Sequence, residues 1–314
     1  MLWISEAQGF RKPIDHAYRL ILSRRASQPV DLELLFPDNA DHDYLNSRNF
    51  SLVHKVLFGL GGGITLSALA TLVELDPSID VNAGDAMGMT PLSWAADMNN
   101  ANSIQELLDI RSDPNIADIR QMTPLMRTSD PTCMELLLNA GANIDAGDQT
   151  NQTALFFSAK SPLCVKLLLD RGASINLVEN SAGFTALHAS VHDKRTGVVR
   201  LLLEHHADYM IPAKDGSSLV HTALKVSDGP TLDVLAEAEL SLLTPDSRNG
   251  EGLSITDLAR EREQKTPGLS TQIRSLISSL GPSASKEEAD AAVMSDAETQ
   301  GSWWPGLDTV STIM

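Results

Sequence analysis

Cysteine is nearly missing from these 314 residues: only Cys133 and Cys164 are present, which excludes a disulfide-stapled fold. Each stands three residues before a Leu-Leu-Leu run, so the two occupy one position in successive units. Packed helices lie about 8–10 Å apart, whereas a disulfide needs Cα atoms within about 7 Å. Both are therefore expected to stay thiols, as inside a cell. Aromatic residues are also scarce, 4% against 42% apolar overall, so the core must pack through Ala and Leu. Basic residues are short as well. Lys and Arg number 24 against 41 Asp and Glu, a net charge of −17, which argues against direct nucleic-acid binding because that needs clustered cations. The charge suits solubility.

Long apolar runs are almost absent. Val56 to Val73 holds 18 residues without a charge, at the membrane-spanning threshold. Gly61-Gly62-Gly63 interrupts it and Ser and Thr are scattered through it, so no membrane association is expected. Met1 to Glu6 is too short and acidic for a secretory signal, which points to an intracellular location, cytoplasmic, nuclear or both. Catalytic motifs are missing too: no Walker loop, no Gly-x-Ser-x-Gly and no Cys-x-x-Cys. His188 and His192 have metal-ligand spacing, but no Glu follows His188. No enzyme activity, metal or cofactor is expected.

What is present is a recurring frame. Asp85 and Gly88 suit a tight turn, Thr90 can cap the helix that follows, and Pro91 fits its first position. Leu92, Ala95 and Ala96 form a short helix, Leu107-Leu108 lies on a second, and Asp113-Pro114-Asn115 leads out. The frame returns at Thr123-Pro124-Leu125, Thr153-Ala154-Leu155, Thr185-Ala186-Leu187-His188 and, more weakly, Ser218-Leu219-Val220-His221. Asn49, Gln121 and Asn151 replace the turn glycine, and His206 stands where Gly141 and Gly172 stand. One unit of about 33 residues cannot bury its own apolar face and must be stacked.

These motifs closely resemble the ankyrin repeat. The resemblance implies an all-α solenoid of about six to seven helix-turn-helix repeats, near 49–82, 85–115, 118–145, 148–176, 180–210, 215–240 and 249–280. The repeat domain would span 46–280, between an N-terminal helical or capping segment, 1–45, and a disordered acidic tail, 281–314. Pro13 to Ala26 can form an amphipathic helix that caps one end of the stack. Ankyrin-like proteins hold protein partners on turn tips and first helices. Carried onto this chain, that face comprises Met87, Met89, Asp97, Arg120, Met122, Gln149, Gln152, Phe184 and His192, with several tips apolar where water favours polar residues. His188 would be the family's structural histidine.

The expected function is a non-enzymatic, monomeric adaptor or scaffold for a protein partner still to be identified. Two alternatives stand beside it: an inhibitor of a partner enzyme, which would use the same surface, and a transcriptional coregulator, which would recruit through the tail. For the latter, the degenerate opening repeat resembles ankyrin proteins of filamentous fungi regarded as coregulators near specialised-metabolite genes. Its recruiting element would be Trp303-Trp304 in the acidic tail. Ser27, after Arg24-Arg25, and Ser295, before an acidic run, match kinase preferences.

Overall fold

The computed structural model describes residues 48–59, 63–238 and 240–282. Segment 1–45, the tail from 283 onward, and with them Ser27, Ser295, Trp303 and Trp304, lie outside the described residues. The chain divides into two compact units, Met1–Asp208 and Tyr209–Met314. No break in the repeat spacing announces that division.

The first unit is built from helix pairs. α1 (Leu52–Leu57) and α2 (Leu66–Leu75) form the first pair, α3 (Pro91–Asp97) and α4 (Ala101–Asp109) the second. α5 (Pro124–Arg127) and α6 (Pro131–Asn139) follow, then α7 (Ala154–Phe157) and α8 (Pro162–Asp170), then α9 (Ala186–His192) and α10 (Thr196–Glu204). First helices contact first helices, and second helices contact second helices, from one pair to the next. Between the two rows lies a core of Leu92, Ile104, Leu107, Leu125, Met134, Leu137, Leu168, Leu187 and Leu202. Cys133 and Cys164 are free and fully buried at matching helical positions. Burial, with the Asp130 side chain, pushes the Cys133 thiol up to about 12.

α5 and α7 are single turns, and proline explains them. Pro131 and Pro162 open the next helices, and a residue before proline is driven out of the α region. Asp130 and Ser161 are accordingly extended, ψ 127° and 101°. In these two repeats Thr123 and Thr153 make no side-chain cap bond, unlike Thr90 and Thr185.

The second unit has the same make-up. α11 (Leu219–Val226) and α12 (Gly229–Glu237) precede α13 (Ile255–Lys265) and α14 (Ser270–Ser278). α11 contacts α13, and α12 contacts α14. A backbone bond from Gly250 N–H to Asp215 C=O, 2.8 Å, joins its two turns. A Cβ on Gly250 would stand 2.5 Å from that oxygen, so only glycine permits the approach. Among the described residues there is no strand, only an isolated bridge between Arg248 and Ser254.

Side-chain oxygens at the repeat exits also tie neighbours in the first unit. Asn82 accepts from Asp113 N–H (2.9 Å), Asn115 from Asn143 (2.7 Å), Asp145 from Ser174 (2.9 Å) and Asn176 from Asp208 (2.9 Å).

Buried histidines add a second tie. The Ser51 N–H donates to His54 Nδ1, so the proton sits on Nε2, which donates to Met89 C=O at 2.9 Å. His221 repeats the arrangement between Ser218 and Leu253. Burial first of all depresses both imidazoles below their ordinary 6.5. In the unfolded chain these two rings therefore take up protons near pH 6.5, whereas in the folded chain they do so only at lower pH. Stability should be full above that value and fall as pH drops below it. We expect a lower urea midpoint at pH 5.5 than at 7.5, with a smaller drop in the double variant His54→Asn/His221→Asn. An undiminished drop in that variant would exclude these histidines as the cause.

The turn glycine's replacements all keep its backbone. Asn49, Gln121 and Asn151 have φ of 54°, 62° and 62°, beside 75° for Gly88, and His206 and Arg111 stand at 60° and 66°. The short Asn side chain eases this region through local hydrogen bonding, whereas the longer Gln adopts it without that help. Gln121→Gly should therefore raise stability by about 0.5–1 kcal/mol. A urea melt showing a loss would overturn the argument.

A candidate protein-binding face

In the first unit each turn tip from Asp85 to Phe184 is organised by one acidic side chain. Asp85 Oδ1 accepts from Met87 and Met89 N–H at 2.8 and 3.0 Å. Asp118 does the same for Arg120 and Met122, and Asp148 for Thr150 and Gln152. The next turn is one residue longer, and Glu179, one methylene longer, closes it by accepting from Ser181, Ala182 and Phe184. Burial opposes ionisation of Glu179, but these N–H groups outweigh it and hold its carboxyl below the usual value. Successive tips bond directly through their backbones: Ile119 N–H to Met87 C=O (3.0 Å), Gln149 to Arg120 (3.1 Å), Asn180 to Thr150 (2.7 Å).

From Asp85 to Met89, Asp118 to Met122 and Asp148 to Gln152, every backbone N–H thus has an acceptor within the turn or on the preceding one. No backbone donor of these three tips is left over for a partner. Met87 and Ile119 are exposed, the latter 52%, and Arg120, Gln149, Asp97 and His192 are exposed beside them. Met122, Gln152 and Phe184 are half-buried. Phe184 stacks on His188 with ring centroids 5.5 Å apart and lies 6.2 Å from His192. His188 is held by Thr185 at 3.0 Å, and His192 pairs with Asp193 at 3.0 Å.

Met89 does not belong to the exposed stripe. It is only 7% exposed, turned inward with its Sδ 3.5 Å from Arg48 Nη2. Arg48 is paired with Asp85, whose Oδ2 also accepts from Trp94 Nε1 at 3.0 Å. The guanidinium lies over the Trp94 ring, 5.2 Å from its centroid, and Phe50 and Phe58 pack edge-on to the same ring. Sequence reasoning missed this cluster, since its partners lie dozens of residues apart. It also missed Arg127, a buried guanidinium bonded to Asp118 and 3.6 Å from Asp97. Nine residues separate Asp85 from Trp94 and Asp118 from Arg127. That recurrence was the available signal.

This architecture, helix pairs joined at acid-headed turns, defines a repeat protein. Residues 87–119 match the family model described as ankyrin repeat, and residues 125–215 match ankyrin repeats in three copies. The chain is an ankyrin-repeat protein. Palmitoyltransferase AKR1 of Lachancea kluyveri is 26% identical over 185 residues, 56% of this chain and 24% of that protein. SH3 and multiple ankyrin repeat domains protein 1 of Mus musculus is 36% identical over 89 residues, 27% of this chain and 4% of that protein. The chain thus spans a quarter or less of the curated relatives it matches. Among solved structures, the ankyrin repeat domain of Bcl-3 superposes with a TM-score of 0.57 at 24% identity, covering 67% of this chain and 93% of that one. That likeness concerns the fold. Ankyrin repeats generally mediate protein–protein interaction and are typically without catalysis of their own. No helix among the described residues is long and apolar enough to cross a membrane.

Tip and core should separate cleanly in a melt. Leu168, fully buried, should cost about 2–5 kcal/mol as Leu168→Ala through the cavity left behind. Met87→Ser at an exposed tip should stay within about 0.5 kcal/mol. Equal losses would remove Met87 from the exposed face.

Proposed function

We propose that this chain is a non-enzymatic adaptor that holds a protein partner against the tips and first helices of residues 85–192. The observation that carries the reading is the tip chemistry. The turn N–H groups are engaged, while Met87 and Ile119 stay exposed beside Arg120. Adaptable methionine and an exposed isoleucine suit a surface that moulds to another protein. Inhibition of a partner enzyme would use the same face. The coregulator reading has separate support only in the sequence of the acidic tail with Trp303 and Trp304, and a nuclear or cytoplasmic setting follows whichever partner is found.

Affinity purification with mass spectrometry tests these readings together. Met87→Asp with Ile119→Asp should reduce recovery of specific partners about tenfold or more, as expected when central apolar contacts are lost, with circular dichroism unchanged. Full recovery by the double variant would reject the tip face. Chromatin-associated partners lost on Trp303→Ala/Trp304→Ala would favour the coregulator, whereas a single enzyme would favour the inhibitor.

A further inference from the structure

The first helix pair has an open side that no later pair in its unit has. In α4, α6, α8 and α10 one position is held by Ser103, Cys133, Cys164 and Val198, all 3% exposed or less. This position looks toward the preceding repeat, for Cys164 Sγ donates to Ser129 C=O at 3.3 Å. Its counterpart in α2, Ala68, is exposed. One turn on, Leu107, Leu137, Leu168 and Leu202 are at 0%, yet their counterpart Leu72 is only half-buried. On the first helices, Pro91, Pro124, Ala154 and Ala186 are buried where Leu52 is 41% exposed. Three equivalent positions are thus uncovered together, and all face the side where a preceding layer would lie.

We propose that residues 13–26 of this same chain supply that layer, seated as a helix over Leu52, Ala68 and Leu72. The length and pattern of the preceding chain support this occupant. Ile14, Ala17, Tyr18 and Ile21 fall at i, i+3, i+4 and i+7, one face of a helix, while Asp15, Arg19 and Ser23 fall on the other. Such a helix is about 21 Å long, enough to cross both α1 and α2, whose axes sit about 8–10 Å from a packed neighbour. The connection through residues 27–47 can extend to about 70 Å, so reach does not limit it. A second copy is a poorer fit. Two helices of 6 and 10 residues offer less than the about 800 Å² per partner of a stable interface, whereas a tethered segment enjoys a high effective concentration. Covering the terminal repeat's apolar face is what a stacked-repeat architecture requires.

The test introduces a thiol where the fold already accepts one. Ala68→Cys places cysteine at the repeat position of Cys133 and Cys164, so the variant should fold, and the two native thiols give a slow background. In the full chain, Ala68→Cys should react slowly with a maleimide. Adding Ala17→Asp and Ile21→Asp should speed the reaction about tenfold or more, as loss of a covering element exposes its site. An identical rate in both chains would overturn the proposal. Protection that disappears on dilution would assign the face to a second copy and overturn it equally. Far-UV circular dichroism of both chains checks that the repeats themselves remain folded.

Discussion

The first unit depends on one carboxylate at the head of each turn from Asp85 to Glu179. A tip that projects from a helical stack has no sheet ladder to satisfy its backbone, and unsatisfied N–H groups are costly. Asp85, Asp118 and Asp148 solve this by accepting two N–H groups each, at fixed offsets of two and four residues. The turn at Glu179 shows how strict the geometry is. One extra residue in the loop is matched by one extra methylene in the acid, and the closing bond runs to Phe184 rather than to the fourth residue on.

The constraint shapes recognition as well as stability. Carboxylates bound to turn N–H groups present less bare negative charge than a net of −17 suggests. Asp85 and Asp118 are further matched by Arg48 and Arg127. The tips therefore differ from the acidic chain that carries them: their charge is internally compensated, and their exposed apolar groups are methionine and isoleucine. A partner would meet side chains held on a rigid, hydrogen-bonded backbone, which limits the conformational entropy lost on binding.

Much of the fold was legible because it is local. Thr-Pro-Leu marks a cap and a helix start, Leu runs mark buried stripes, and the spacing fixes the stacking. Even the replacements Asn49, Gln121 and Asn151 betrayed a left-handed position, since their neighbours in register were glycine. The candidate face was legible only in part. Whether a tip residue points out or in depends on what the adjacent repeat offers. Met89 turns inward because Arg48, 41 residues earlier, forms a pocket with Asp85 and Trp94, and no local pattern encodes that. The Ala68 opening was hidden for the opposite reason: small apolar residues read alike whether or not something covers them.

The ties between repeats are unevenly distributed along the first unit, and this bears on where the face can yield. At its start, α1 is tied to the next turn through His54, and α9 carries a capped Thr185–His188 pair. Between them, α5 and α7 are single turns whose cap threonines make no side-chain cap bond, and Met126 and Phe156 stand where His54 and His188 stand. What holds these repeats is the tip bonding, the exit bonds and, for α5, the buried Arg127–Asp118 pair. Tip and exit stay fixed while the short helices between them have fewer local bonds to break. Segments with fewer local bonds open most readily, so α5 and α7, with the half-buried Phe156 and Phe157, are the stretch of this unit best able to adjust, between tips held by their own hydrogen bonds.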